Sequence, residues 1–294
     1  MAMLPLWVIL SLVTAFSLAT SDALTKKALT DSNEYLVAWF RLFFSLPFLI
    51  ITWFFIPVPQ LDNIFFIAFI CALPIELITI VLYIKALKVS PLSLTLPFLA
   101  LTPVFLIAVS YLLLGEKVSV RGGAGILLIA AGSYLLHIHK ISKGILEPLK
   151  AITRERGSVM MICVALLYSI TSSLGKMAIE HSSPLFFGIT YFIGVTLCFA
   201  PIGLWMGKSE LKPFVKGKMY RSVILPGFFF AVMIATHMIA MKLTKVAYMI
   251  SVKRTSLLIG VFYGYIFFRE TDIRSRALGA ALMFAGFILI VTTH

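Results

Sequence analysis

Acidic residues and polar linkers are scarce in this chain. Only 12 of its 294 residues are Asp or Glu, and 13% are charged in total. In a soluble domain about a quarter of the residues are charged. Hydrophobic residues make up 61% of the sequence and the mean hydropathy is +1.04. This composition excludes an ordinary soluble domain and predicts an all-α membrane protein.

Cysteine is also scarce, and catalytic motifs are missing. Cys71, Cys163 and Cys198 fall inside apolar runs and form no CxxC, so we expect packing residues rather than disulfides or a zinc site. His137 and His139 are too few to hold a metal ion. The sequence contains no Walker-type phosphate loop, HExxH or GxSxG. We therefore expect neither an ATP-driven pump nor an enzyme, and no cofactor.

Ten apolar runs are each long enough to cross a hydrocarbon core of about 30 Å. They cover residues 5–24, 35–56, 63–84, 92–114, 122–138, 158–175, 184–206, 222–241, 246–268 and 276–292. The first run lacks a basic leader and a small-residue cleavage site, so it is expected to be a retained helix rather than a signal peptide. The pattern predicts an integral, multi-pass protein of the cell (inner) membrane.

Basic residues are concentrated in the short segments between the runs. The net charge of +13 therefore indicates membrane topology rather than nucleic-acid binding. The side that holds both termini carries five Lys and Arg, and the opposite side carries seventeen. By the positive-inside rule, this count predicts that both termini lie outside the cell.

The chain divides into two related halves, residues 1–138 and 158–294, joined by a basic loop at 139–157. A shift of 154 residues pairs Glu116 with Glu270, Gly125 with Gly279, and Gly132 with Gly286. Because each half has five spans, the second half must enter the membrane upside down. Inverted repeats of this kind are typical of secondary transporters.

Two adjacent cations, Lys253 and Arg254, lie about 5 Å from the middle of the ninth span. A charge at that depth costs about 3 kcal/mol, so it normally faces a partner or a watered cavity. At 100° per residue, Tyr248, Ser251 and Thr255 fall with Arg254 within an arc of about 120°, which predicts a common face. The pair is thus either a ligand site or part of a structural ion pair inside the bundle.

The third span supplies the deepest acid, Glu76, with Tyr83 seven residues further along the same stripe. Arg41 in the second span lies in the same half of the membrane, so an Arg41–Glu76 pair would explain both charges. The first and sixth spans add a polar edge that includes Asp22, Tyr168 and Thr171.

The charges that lie deep in the spans do not balance. There are three cations, Arg41, Lys253 and Arg254, but Glu76 is the only acid. A surplus of positive charge favours a ligand with a carboxylate or phosphate. The expected substrate-binding residues are Lys253, Arg254, Tyr248, Ser251, Thr255, Glu76, Tyr83 and Arg41.

The chain resembles the EamA-type members of the drug/metabolite transporter superfamily. The resemblance rests on the ten-span inverted repeat, the segments LLLGEK (112–117) and IFFRET (266–271), and the Gly-rich fifth and tenth spans. The stretch AYMISVKRTSLL (247–258) is similar to the Lys-Arg pair that binds phosphate in plastid sugar-phosphate translocators, which implies substrate-binding roles for Lys253 and Arg254. Those translocators also use a lysine in the fourth helix, where 92–114 has no charge. The resemblance implies cytoplasmic termini, opposite to the charge count.

The sequence therefore predicts a ten-helix secondary transporter that moves a small anionic metabolite by alternating access. Two alternatives remain at this point: a proton-coupled exporter of amino acids or amphipathic drugs, and a lipid-carrier flippase or membrane assembly partner. The expected partners are a small-molecule substrate and the lipid bilayer, with a homodimer left open.

Overall fold

The computed structural model describes residues 4–28, 32–89, 96–136, 156–268 and 273–293, and within these ranges all regular structure is helical. In the first half a 3-10 helix, Leu96–Leu101, runs directly into the fourth α-helix. The helices of this half are α1 (Leu6–Ala28), α2 (Glu34–Trp53), α3 (Asn63–Val89), α4 (Thr102–Leu114) and α5 (Val120–Leu136).

The second half repeats this order, with one insertion and one interruption. Its helices are α6 (Arg156–Glu180), α7 (Pro184–Met206), α8 (Lys208–Lys216), α9 (Arg221–Leu243), α10 (Val246–Lys253), α11 (Ser256–Phe268) and α12 (Ile273–Val291). The short helix α8 is the insertion. Helices α10 and α11 share one span and are separated by Arg254 and Thr255.

Several helix ends follow directly from local sequence. The side chain of Asn33 accepts a hydrogen bond from the Tyr35 amide at 3.0 Å and caps α2. Ser183 caps α7, with Pro184 at the first helical position. Gly115 ends α4 at φ +68°, a left-handed conformation that a residue without Cβ adopts easily.

Seven of the helices are long and apolar enough to cross a membrane. One of the seven is the α10–α11 span, counted as Val246–Tyr263. Three shorter apolar helices, Phe98–Leu114, Val120–Leu136 and Ala277–Val291, occupy the positions of the other predicted spans. The prediction of ten helices is confirmed.

The two halves pack against each other with pseudo-two-fold symmetry. Helix α1 packs against α9, and its counterpart α6 packs against α3. Helices α2 and α7 pack together, as do α5 and α12. These pairings are unchanged when the halves are swapped, as expected for an inverted repeat.

Close backbone approach at glycine joins α5 to α12. A Cβ added to Gly132 would lie 2.5 Å from the Gly279 carbonyl oxygen, and one added to Gly125 would lie 2.8 Å from that of Gly286. Both distances are too short for real atoms, so only glycine fits. The predicted packing role of these small residues agrees with this geometry.

The expectation that the cysteines are packing residues was wrong. Cys71, Cys163 and Cys198 are all exposed on the surfaces of their helices rather than packed in the core. Each lies in a membrane-spanning helix, where lipid favours an apolar side chain on the outer face as strongly as on the inner face. Hydropathy therefore could not distinguish the two. His137, His139 and Glu270 lie outside the described residues.

Candidate functional site

The α10–α11 interruption places Lys253 and Arg254 inside the bundle. The Arg254 amide donates to both the Ile250 and Ser251 carbonyls, and the Thr255 amide donates to Val252 three residues back. These contacts tighten the last turn of α10 into 3-10 geometry and end the helix. The hydroxyl of Thr255 also donates to the Val252 carbonyl at 2.8 Å. The interruption is thus supported by hydrogen bonds within the chain.

Tyr248 and Ser251, which were expected to share a face with Arg254, are both buried and bonded to other parts of the protein. Tyr248 is 1% exposed, and its hydroxyl lies 3.2 Å from both the amide and the hydroxyl of Ser119. Ser251 is completely buried and donates to the Ala247 carbonyl. Their roles in substrate binding stay a prediction, since their hydroxyl groups already have partners within the protein.

Arg254 reaches across to the interrupted fourth span of the first half. Its Nη2 donates to Thr102 Oγ1 at 2.8 Å, and the Thr102 hydroxyl donates to the Leu99 carbonyl at 2.9 Å. The Nε of Arg254 is buried and has no hydrogen-bond partner within the described ranges. Arg254 therefore has donor capacity left for a ligand.

The partner of Arg41 is Asp22, so the Arg41–Glu76 pair expected from the sequence is wrong. Arg41 Nη1 lies 2.8 Å from Asp22 Oδ1, and the guanidinium lies 4.6 Å from the ring centre of Phe230. The Asp22 side chain is 56% exposed, and that of Arg41 is 23% exposed. Arg41 is thus held by Asp22 and Phe230 rather than by Glu76.

Glu76 faces a different set of residues. It forms a hydrogen bond with Thr171 of α6 and lies within electrostatic range of Lys253. Lys253 is in turn within electrostatic range of Asp22. The structure thus brings Glu76, Arg41, Lys253 and Arg254 to one region, as the sequence predicted, but with different pairings.

Three ring side chains complete this region. Tyr83 lies within electrostatic range of Asp22, Arg41 and Arg254. Tyr168 lies within range of Glu76, Tyr83 and Arg254. His237 of α9 lies near Lys253, and its buried Nδ1 has no hydrogen-bond partner in the described part of the chain. Sequence reasoning missed His237, because a single histidine in an apolar helix carries no periodic signal.

We call these residues the central cluster: Asp22, Arg41, Glu76, Tyr83, Thr102, Tyr168, Thr171, His237, Lys253 and Arg254. Its three cations and two carboxylates leave one positive charge when His237 is neutral. In the described ranges no carboxylate lies within ion-pair distance of Lys253 or Arg254. The free positive charge is therefore at the α10–α11 interruption.

An apolar groove lies elsewhere on the bundle. Its volume is about 390 Å³, and Thr190 is the only polar residue in its lining, which otherwise includes Phe65, Phe69 and Phe186. A groove of this chemistry does not suit a charged ligand. The chemistry of the central cluster, rather than the size of the groove, identifies the candidate site.

Loops join the two halves at the membrane end that holds both termini. The Val246 amide donates to Glu116 at 2.9 Å, and Lys245 donates to the Lys117 carbonyl. Partial burial raises the pKa of the Glu116 carboxyl, while the Val246 amide opposes this rise. Asp62 and His181 form a further contact of 2.6 Å between loops of the two halves. These contacts close this end of the bundle above the central cluster.

No set of three or more His, Cys, Asp or Glu able to hold a metal ion occurs in the described ranges. The remaining predicted residue, Thr255, is half-buried at the interruption and bonded to its own helix.

Comparisons with known proteins agree with this architecture. The model of the EamA-like transporter family matches residues 5–138 and 155–292. A solved structure titled only "Crystal structure of protein" is similar, with a TM-score of 0.74 at 14% identity, over 96% of this chain and 95% of that chain. At this identity the likeness shows the fold alone. No curated protein matches the chain.

Proposed function

The chain belongs to the EamA-like transporter family, and we propose that it is a secondary transporter of small metabolites that carry one negative charge. The observation that carries the proposal is Arg254 at the α10–α11 interruption. It is bonded to an uncharged threonine, has a free Nε and stands beside Lys253.

The charge balance of the central cluster supports a monoanion. Asp22 neutralises Arg41, and Glu76 faces Lys253, so one positive charge remains. A single carboxylate would neutralise the cluster, whereas a phosphate dianion would leave an uncompensated negative charge in a low-dielectric site. A guanidinium with free donors suits the two oxygens of a carboxylate.

Transport by alternating access fits the inverted repeat. The contacts Glu116–Val246, Lys245–Lys117 and Asp62–His181 join the halves at one membrane end. For the central cluster to open at that end, these contacts must separate. Without a Walker-type loop, the energy source would be an ion gradient or exchange.

Thermal stabilisation of the purified protein tests the ligand class, because a ligand that binds only the folded state stabilises that state. We expect stabilisation by monocarboxylates, less by phosphomonoesters of similar size, and none by amines. The Arg254→Gln variant should lose the response, whereas Lys85→Gln, which removes an exposed cation of α3, should keep it. Stabilisation by amines that persists in Arg254→Gln would exclude the proposal.

A second candidate, proton-coupled export, is favoured by the position of Glu76. A carboxyl group that is bonded to Thr171 and faces Lys253 can lose and regain a proton as a cationic or zwitterionic substrate leaves. In proteoliposomes, Glu76→Gln should then abolish uphill export and leave exchange intact. If both processes survive, Glu76 has a structural role instead.

A further inference from the structure

We propose that helix α8 and the turn after it form a binding site for anionic phospholipid headgroups. The site, called here the α8 patch, consists of Lys208, Lys212, Lys216, Lys218 and Arg221. All five side chains are exposed, and Glu210 is the only acid between positions 208 and 221. The inference is independent of what the central cluster carries.

The lysines lie on the face of α8 opposite its packed face. At 100° per residue, Lys208, Lys212 and Lys216 span an arc of about 80°, and Phe214 lies opposite the middle of that arc. Phe214 is 2% exposed, packs with Leu36 and Val223, and lies 4.9 Å from the Phe40 ring. The helix is therefore amphipathic and fixed, with its cationic side turned outward.

The depth of α8 matches that of lipid headgroups. Leu36 lies in the first turn of α2 and Val223 in the first turn of α9, so α8 is level with the points where two spans leave the membrane. At the end of α7, Trp205 is 75% exposed. Exposed tryptophan is typical of the membrane–water interface. A Cβ at Gly207 would overlap Leu36, which shows how closely the start of α8 is held to α2.

Lys218 supplies a second, independent observation. Among the described residues it is the only non-glycine with positive φ, at 55°. Its amide donates to Val215 and the next amide donates to Phe214, which ends α8. Glycine suits this left-handed position better than lysine. A lysine thus stands where the backbone conformation favours glycine. Such strain is found at sites where the function of the side chain outweighs its local cost.

Anionic headgroups are the occupant that fits these features. Clusters of four to eight Lys and Arg next to membrane spans attract phosphate-bearing lipids, and each cation strengthens the attraction by about fivefold. A soluble acidic partner would not require the patch to lie at headgroup depth beside Trp205. The lipid headgroup therefore accounts for both the charge and the position of the patch.

The test measures phosphatidylglycerol binding to the full chain in neutral detergent by native mass spectrometry, with phosphatidylcholine as reference. The patch variant carries Lys208→Gln, Lys212→Gln and Lys216→Gln. The control variant removes three exposed cations at the opposite membrane end, Lys117→Gln, Arg121→Gln and Lys242→Gln. We expect the patch variant to lose affinity on the order of 100-fold. The control should change by less than about threefold and phosphatidylcholine should be unaffected, since local cations carry the attraction.

Three results would overturn the proposal. These are equal loss in the patch and control variants, unchanged binding in the patch variant, and complete competition by free glycerol phosphate at the concentration of the lipid. The last result would assign the patch to a soluble phosphate. The Lys218→Gly variant separates loss of lipid binding from loss of folding. We expect it to raise thermal stability while weakening phosphatidylglycerol binding by about fivefold. Undiminished lipid binding in a folded Lys218→Gly protein would also contradict the proposal.

Discussion

In both halves the fourth span consists of two helical pieces, the 3-10 helix and α4 in the first half and α10 and α11 in the second. We call each junction an interruption; the two lie at matched positions but differ in the character of their residues. In the first half the 3-10 helix gives way to α4 at Thr102, and in the second half α11 begins at Ser256, the residue that the 154-residue shift pairs with Thr102. The residues three and two positions before these starts are Leu99 and Ala100 in one half, and Lys253 and Arg254 in the other. The repeat therefore preserves the backbone interruption, while the charge is carried by one half alone.

This difference separates what the fold needs from what the site needs. Leu99 and Ala100 are 9% and 3% exposed, and Leu99 packs with Met161 and Val164 of α6. Lys253 and Arg254 are half-buried and face the central cluster. An interrupted helix exposes backbone groups at mid-membrane depth, which is tolerated where protein or a watered cavity surrounds them. One interruption is thus enclosed by protein, and the other lines the site.

The largest expected effect comes from making the halves alike. Ala100→Arg would place a cation in the enclosed interruption without a partner, at a cost of about 3 kcal/mol or more. Overpacking against α6 would add to that cost. We expect little monodisperse protein after extraction, measured by size-exclusion chromatography.

The reciprocal variant is the control for this prediction. Arg254→Ala removes a charge from the lined interruption and should remain folded and monodisperse. If Ala100→Arg were as stable as the parent, the first interruption would also face a cavity, and the asymmetry between the halves would be lost.

The next largest effect is expected at the contact between α5 and α12, where the two halves remain symmetric. Gly132→Ala and Gly279→Ala each place a Cβ less than 3 Å from the opposing carbonyl oxygen, at 2.5 and 2.7 Å. Because such overpacking costs about 1–3 kcal/mol, both should lower the midpoint of thermal unfolding by similar amounts.

Gly123 is the matched control on α5, where the nearest atom to an added Cβ is 3.9 Å away. Gly123→Ala should be neutral or stabilising, since alanine favours helix over glycine. Unequal effects at Gly132 and Gly279 would show that the α5–α12 contact does not follow the two-fold relation.

The interface between the two interruptions gives a smaller effect. Thr102→Val keeps the shape of the side chain but removes the oxygen that accepts from Arg254. A hydrogen bond to a charged group contributes about 1.5–3 kcal/mol. Loss of the Thr102 acceptor should therefore change the affinity of the protein for a monoanion by at least about tenfold. Calorimetric titration measures the change. Thr102→Ser retains the acceptor and should behave as the parent, and equal affinity in all three proteins would exclude a positioning role for Thr102.

The sequence predicted the parts of this comparison that depend on periodicity. Apolar runs located the ten spans, and the 154-residue shift identified the glycines that meet between α5 and α12. These features repeat along the chain, so one sequence is enough to show them.

Partners across the bundle could not be predicted in the same way. Arg41 pairs with Asp22 rather than Glu76, because the rotation of each helix about its axis decides which side chains meet. The sequence also could not show that the Tyr248 hydroxyl lies beside Ser119, because that contact joins helices far apart in the chain. His237 lies in a run that is otherwise apolar, and only packing brings it to Lys253.

The smallest effect is expected for a charge far from either interruption. Asp62 accepts from the Phe65 amide at 2.9 Å and contacts His181 between the halves. The Phe65 amide, followed by His181, lowers the pKa of this carboxyl below its ordinary value of 3.8. The folded state therefore favours the carboxylate, so its stabilising contribution is present above pH 3.8 and disappears as the pH falls through the lowered pKa.

The direction of this pH dependence is tested by comparing the thermal unfolding midpoints of the parent and Asp62→Asn at several pH values. A small difference at neutral pH should shrink as the pH falls below 3.8. Because the pair is exposed, the difference should also weaken in high salt, unlike the effects of the buried changes. A difference that grows on acidification would mean that Asp62 is held protonated, and the contact between the halves would then depend on a neutral carboxyl group instead of a carboxylate.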